Sequence, residues 1–205
     1  MMEIKISTKD IATGDDLARL GDKAAWAVSD ALNRGLGTMK TQSVKNISRT
    51  YGILQKKLRE KGRLTEVYAR QTDGRSVKMV GSSRRFRLTA FSARPAKPGG
   101  RRPKRGVSVL VKRSTGRKTI KGSFAAASSR GGHIFLRVGA RQARRRGTGG
   151  PVRPRYPIQS LLGPSPGAMM TTDQKVRQAI LEAGAQTAVE RLESNIRFLL
   201  TGSRK

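Results

Sequence analysis

The sequence predicts an α+β fold, with long N-terminal and C-terminal helices flanking a small antiparallel β-sheet with extended basic loops. Three observations carry that expectation. Apolar residues recur every three or four positions near both ends, which is helical spacing, and every second position in the middle, which is strand spacing. The composition shifts twice, near Gly74 and near Thr172. All eight prolines and 15 of the 23 glycines lie between those two points, where they interrupt helices and build turns.

At the N-terminal end, Leu17, Leu20, Ala24, Val28 and Leu32 form one stripe, widened by Trp26 and Ala27 and continued by Leu36, Met39 and Ile47. Asp15 and Asp16 suit the positive end of a helix dipole. These residues predict one helix from about Thr13 to about Ile47, weakened or bent at Gly35 and Gly37. A second, short helix is expected near Gly52–Lys61, burying Ile53, Leu54 and Leu58.

The period then changes to two. Phe86, Leu88 and Ala90 alternate with Arg85, Arg87 and Thr89. Val107, Val109 and Val111 alternate around Ser108 and Leu110, and Ile134, Leu136 and Val138 alternate with His133, Phe135 and Arg137. Ser114-Thr115-Gly116 reads as the turn between strands at 107–112 and 118–124. Residues 94–105 and 139–155 are Arg/Gly/Pro loops without periodicity. The last helix is expected to start at an N-cap, Thr172 or Asp173, and to run for roughly 28 residues. Its stripe is Leu181, Ala185, Ala188, Leu192, Ile196 and Leu199, widened by Val176, Ile180 and Val189, with Gly184 as a weak point. The organisation expected is a helical region at 1–62, a basic β region at 63–156 and a loop with the C-terminal helix at 157–205, all one structural domain.

The formal net charge of +31 is the dominant chemical fact. Residues 74–172 hold 24 Lys/Arg and no Asp or Glu, whereas 1–73 hold 14 basic and 9 acidic residues and 173–205 hold 6 and 4. So long an acid-free stretch points to a polyanion, most readily DNA. The clusters lack the interleaved aromatics that stack single strands and no helix-turn-helix or zinc-finger pattern is present. The expected contact is therefore with phosphates, independent of sequence and sensitive to salt. No run approaches the ~20 apolar residues of a spanning helix, so no membrane partner is expected. The start lacks the apolar core of a signal peptide, so the chain is expected to be made and used in the cytoplasm. Without cysteine there is neither a disulfide framework nor a thiolate metal site.

Catalysis needs converging acids, bases, nucleophiles or metal ligands. The single histidine, His133, falls inside a predicted strand and reads as a surface or loop-edge residue. Gly116-Arg117-Lys118-Thr119 has the end of a phosphate-binding loop, yet the required earlier glycine is Val111, and a hairpin turn fits better. No catalytic residue, metal site or cofactor is expected, and the chain is read as a structural protein and not an enzyme.

Two stretches carry a family resemblance. Gly122-Ser123-Phe124-Ala125-Ala126-Ala127 with His133-Ile134-Phe135-Leu136-Arg137-Val138-Gly139 resembles a strand pair of the minor tail protein Z family, the lambda-type tail completion proteins. Tyr156-Pro157-Ile158-Gln159-Ser160-Leu161-Leu162-Gly163-Pro164-Ser165 resembles that family's Pro-Ile turn and Gly-Pro-Ser loop before the C-terminal helix. The order of parts agrees as well, while the long Arg/Pro loops depart from the pattern. The resemblance implies a virion structural protein of the tail or neck, assembled in the host cytoplasm. It would finish the head-proximal end of the tail as a ring, most simply a hexamer, against phage tail and connector proteins. A rival class with similar Arg/Gly loops is a ribosomal or nucleoid-type nucleic-acid binding protein.

The residues expected to contact DNA phosphates are Arg84, Arg85, Arg87, Arg94, Arg101, Arg102, Lys104, Arg105, Arg141, Arg144, Arg145, Arg146, Arg153 and Arg155. Pro157, Ile158, Leu161, Leu162, Gly163 and Pro164 are the residues expected to dock a partner, with an internal turn as the open alternative.

Overall fold

The fold is that of a computed structural model, described over residues 2–7, 23–71, 76–94, 106–126, 132–139 and 157–201. It has the predicted α+β character, with a long helix towards each end and small antiparallel sheets between. The chain divides into two compact units. One comprises Met1–Arg49, Gln55–Arg84 and Pro164–Lys205, and the other Thr50–Leu54 and Arg85–Gly163.

The first unit is built on β1 (Met2–Ser7), β2 (Leu64–Val67) and β3 (Ser76–Gly81), in the order β1-β3-β2 and antiparallel throughout. The central strand buries Val77, Met79 and Val80. Among the described residues, three helices, a single helical turn and a 3-10 turn at Ala69–Gln71 complete this unit. Helix α1 (Ala24–Thr50) buries Ala27, Val28, Ala31, Leu32, Leu36, Met39, Val44 and Ile47, the three- and four-residue steps that the sequence predicts. A single turn, α2 (Gln55–Leu58), follows. Helix α3 (Pro166–Thr171) opens on Ser165, whose Oγ accepts the Ala168 N–H at 3.2 Å, with proline at the first helical position and both Met169 and Met170 fully buried. Helix α4 (Gln174–Thr201) follows Asp173, whose Oδ1 accepts the Val176 N–H at 3.4 Å.

Helices α1 and α4 run antiparallel. Arg191 Nε donates to Asp30 Oδ2 at 2.7 Å, and Asn195 Nδ2 donates to the same oxygen at 3.0 Å and to the Ala27 carbonyl at 3.2 Å. Farther along, Gly35 meets Gly184 so closely that a Cβ on Gly35 would lie 2.6 Å from the Gly184 carbonyl oxygen. Lys40 Nζ on α1 pairs with Glu66 Oε2 on β2 at 2.7 Å, fixing the helix against the sheet edge.

The second unit holds a hairpin of β4 (Val107–Val109) and β5 (Lys118–Ile120), with Val107 opposite Ile120. Beside it in sequence is a three-stranded antiparallel sheet of β6 (Ser123–Ala126), β7 (His133–Arg137) and β8 (Ile158–Ser160), in that order. Its core includes Phe91, Val107 and Ile134, all fully buried, with Phe86 meeting Phe91 edge to face at 6.3 Å.

Several local expectations are corrected. Helix α1 continues to Thr50, beyond Ile47, and Trp26 is 48% exposed and does not widen the buried stripe. It sits one residue, about 100° around the helix, from the Ala27 position that faces α4. The expected start of the helix before Lys23, with Leu17 and Leu20, lies outside the described residues. The second helix is only one turn; Ile53 and Leu58 are buried, but Leu54 is 70% exposed. The segment 86–90 is not a strand. Arg87 makes an isolated bridge, Leu88–Ala90 is a 3-10 turn, and the alternating burial of Phe86 and Leu88 comes from that turn and the rings it seats. The expected strand at 118–124 is two strands with separate partners, β5 on β4 and β6 on β7. Strands β1, β2, β3 and β8 and helix α3 were not expected. In α4 the buried line is Val176, Ile180, Gly184, Ala188, Leu192 and Asn195. Leu181, Ala185, Ile196 and Leu199 are only half-buried.

Candidate functional site

The division of the chain into units sorts its charge. All 13 acidic residues lie in the segments of the first unit, together with 23 of the Lys/Arg residues. The second unit has 21 Lys/Arg and no Asp or Glu. Consequently no carboxylate side chain within that unit can neutralise its cations, and some of the described ones meet carbonyls or rings. Arg117 Nη1 donates to the carbonyls of Ser92 at 2.7 Å and Ser108 at 3.3 Å. Lys112 Nζ stands 5.7 Å from the centroid of the Tyr51 ring, and Arg137 lies over Phe124 at 5.2 Å.

Of the expected phosphate contacts, Arg84, Arg85 and Arg94 are exposed and Arg87 is half-buried. Arg84 belongs to the first unit and its carbonyl accepts from Arg63 Nη1 at 3.3 Å, whereas the other three are in the second unit. The backbone of Arg94 exchanges hydrogen bonds with Ser108 at 2.8 and 2.9 Å, which holds this arginine beside β4. Arg101, Arg102, Lys104, Arg105, Arg141, Arg144, Arg145, Arg146, Arg153 and Arg155 lie outside the described residues. The β4-β5 hairpin carries further cations that were not among the expected contacts. Lys112, Arg113, Arg117, Lys118 and Lys121 cluster along one β-turn structure, and the signal available was their density between positions 112 and 121.

The expected docking residues fall into two sets. Leu161 N–H donates to the Ile134 carbonyl at 2.9 Å and Gly163 N–H to the Phe86 carbonyl at 2.8 Å, so the main chain is pinned to the second unit. A Cβ on Gly163 would lie 2.3 Å from the Phe91 ring, so no larger residue fits there without displacing that ring. Ile158 and Leu162 nevertheless turn outward, 58% and 47% exposed, while Pro157, Leu161 and Pro164 are half-buried.

The same sheet gathers rings that are distant in sequence. Phe124 and Phe135 are cross-strand partners with centroids 5.9 Å apart, and His133 stacks on Phe135 at 5.7 Å. His133 Nδ1 is 3.1 Å from Ser160 Oγ. Desolvation, and then the positive charge of Arg87, hold the His133 pKa below the ordinary histidine value. A catalytic Ser–His pair needs a third group to orient the base, and this unit contains no carboxylate to serve. Among the described residues, no three of His, Cys, Asp and Glu converge as a metal site would require. Nor is any described helix long and apolar enough to cross a membrane.

Comparison with known proteins adds one decisive observation. The profile of prophage minor tail protein Z matches residues 13–201. The chain belongs to that family. No curated protein and no solved structure matches it. Membership makes this a structural protein of the phage tail, located in the virion and in contact with other tail proteins. The match spans both long helices, both units and the loop before α3 of this minor tail protein.

Proposed function

We propose that this minor tail protein completes the head-proximal end of the tail as a subunit of a ring, most simply a hexamer. In this reading it is assembled in the host cytoplasm and has no catalytic role. The second unit would approach the DNA path, where its basic loops meet phosphates without reading bases, and residues 157–164 would dock a neighbouring tail or connector protein. One observation supports the proposal: the sequence segments that make up the second unit carry 21 Lys/Arg residues and no acid. A protein shell beside DNA needs this arrangement, because phosphate contacts fix position while carrying no base information.

Electron microscopy of particles lacking the protein tests the reading. Tails detached from heads, or heads that lose DNA, are the expected result. Normal joined particles would overturn the completion role, and a protein that stays monomeric in purified particles would overturn the ring.

A further inference from the structure

We propose that the free edge of β8 takes up an extended, acidic segment of another tail protein as a fourth strand of the β6-β7-β8 sheet. This rests on the docking role proposed for residues 157–164 and names its mode and the partner's chemistry. The hydrogen-bond alternation defines the edge. Val138 N–H donates to the Pro157 carbonyl and Leu161 N–H donates to the Ile134 carbonyl, both at 2.9 Å, so residues 157 and 161 turn their main chain towards β7. With a period of two, Gln159 does the same, and Ile158 and Ser160 turn their N–H and C=O groups away from the sheet. Among the described residues no strand pairs with that side of β8.

Exposed edges are normally blunted by charges, above all lysine, or covered. This one carries neither charge nor described cover. In a chain with 28% charged residues, no charged residue occurs from Tyr156 to Thr172. All three β8 side chains are exposed, and Ile158 presents an apolar surface at the edge. An incoming strand would find apolar contact with Ile158 and main-chain partners at 158 and 160.

Charge decides which strand. Arg137 is the cross-strand partner of Ile158, and Arg87 bridges Leu162. The unit around this edge offers cations and no acid, so an acidic segment is drawn in. The second unit of another copy, with the same surplus of cations, is repelled.

A photo-crosslinking residue placed at position 158 of the full chain, in cells assembling particles, reads out the neighbour. The expected product joins position 158 to an extended segment of a different tail protein with acids among its residues. A crosslink to a second copy of this chain, or to DNA, overturns the proposal. Backbone substitution tests the mode. Ser160→Pro removes an outward N–H, as edge strands tolerate, and should leave circular dichroism intact while lowering incorporation into particles about tenfold, the loss expected for one main-chain hydrogen bond at an interface. Ser160→Ala keeps that N–H, loses the hydroxyl near His133, and should incorporate normally. If Leu162→Asp blocks incorporation while Ser160→Pro does not, docking stands and strand addition falls. If neither has an effect, both fall. Should Ser160→Pro fail to fold, the crosslink from position 158 decides.

Discussion

Gly35 and Gly184 face each other across the α1–α4 seam at a distance that leaves no space for a side chain: a Cβ on Gly35 would stand 2.6 Å from the Gly184 carbonyl oxygen and 3.0 Å from the Ala188 Cβ. Both residues read as weak points along the sequence, yet they are where the two longest helices meet backbone to backbone. The helical propensity sacrificed at these positions permits close backbone packing.

This contact makes opposite predictions for two glycines two residues apart in α1. Gly35→Ala should lower stability by about 1–3 kcal/mol, because the added methyl meets backbone and not a side chain that can move aside. Gly37 has open space around it. Gly37→Ala should raise stability by about 0.5–1 kcal/mol through helix propensity alone. Urea unfolding of both variants checks the pair, and a similar response from the two would refute the crossing.

The polar seam beside that crossing yields a second expectation. Asp30 Oδ2 accepts from both Arg191 and Asn195, and Asn195 Oδ1 is buried with no hydrogen-bond partner. Asp30→Ala should cost about 1 kcal/mol, a charge-assisted bond discounted for partial exposure. Asn195→Leu should stay within about 1 kcal/mol of the parent, since it also removes an unsatisfied polar atom. Denaturant midpoints compare them, and a larger loss for Asn195→Leu than for Asp30→Ala would reverse this account.

His133 is the chain's only histidine, so its titration can be followed without assignment ambiguity. Desolvation and the Arg87 charge lower its folded pKa. Between that value and the unfolded pKa of about 6.5, the unfolded chain binds more protons, so stability falls as the pH drops through the window. An NMR titration should give a midpoint below 6.5, and Arg87→Gln should recover only part of the difference, because desolvation is the larger cause. The pH dependence of melting should be shallower in His133→Gln. A midpoint at or above the ordinary value would contradict the described environment.

For DNA, phosphate contact makes a quantitative claim, with log affinity falling against log salt by about 0.9 per neutralised phosphate. Replacing Arg144, Arg145 and Arg146 with Gln should reduce the slope by up to ~3 and weaken all duplex sequences alike. Lys118→Gln with Lys121→Gln, on the described hairpin, should reduce it by up to ~2. Filter binding at several salt concentrations measures both. An unchanged slope in the loop variant would remove those arginines from the DNA path; co-sedimentation would then show whether they bind a neighbouring subunit instead.

What the sequence determined by itself was whatever depends on neighbours along the chain. The three- and four-residue steps from Val28 to Ile47 place α1, Asp173 opens α4, and Ser114-Thr115-Gly116 turns between β4 and β5, because caps, turns and periodicities are local. The acid-free stretch was equally plain, since charge is a property of composition, and the quoted motifs sufficed to suggest the family. Tertiary structure decided which apolar residues face which neighbour. Leu181 and Ile180 are equally apolar, but only Ile180 is on the arc where Gly184 and Ala188 let α1 approach. Strands β1, β2 and β3 became a sheet through pairings distant in sequence, Met2 and Leu64 meeting the same Gly81, and no local pattern specifies such partners. At Phe86–Ala90 the alternation was real, but a 3-10 turn over buried Phe91 produced it, because burial follows the packed surface and strands are only one way to supply it. The loop at 157–164 shows the same division most sharply. Its composition marked it as special, while hydrogen bonds donated to the Ile134 and Phe86 carbonyls determined that Leu161 and Gly163 are held and that Ile158 and Leu162 face outward.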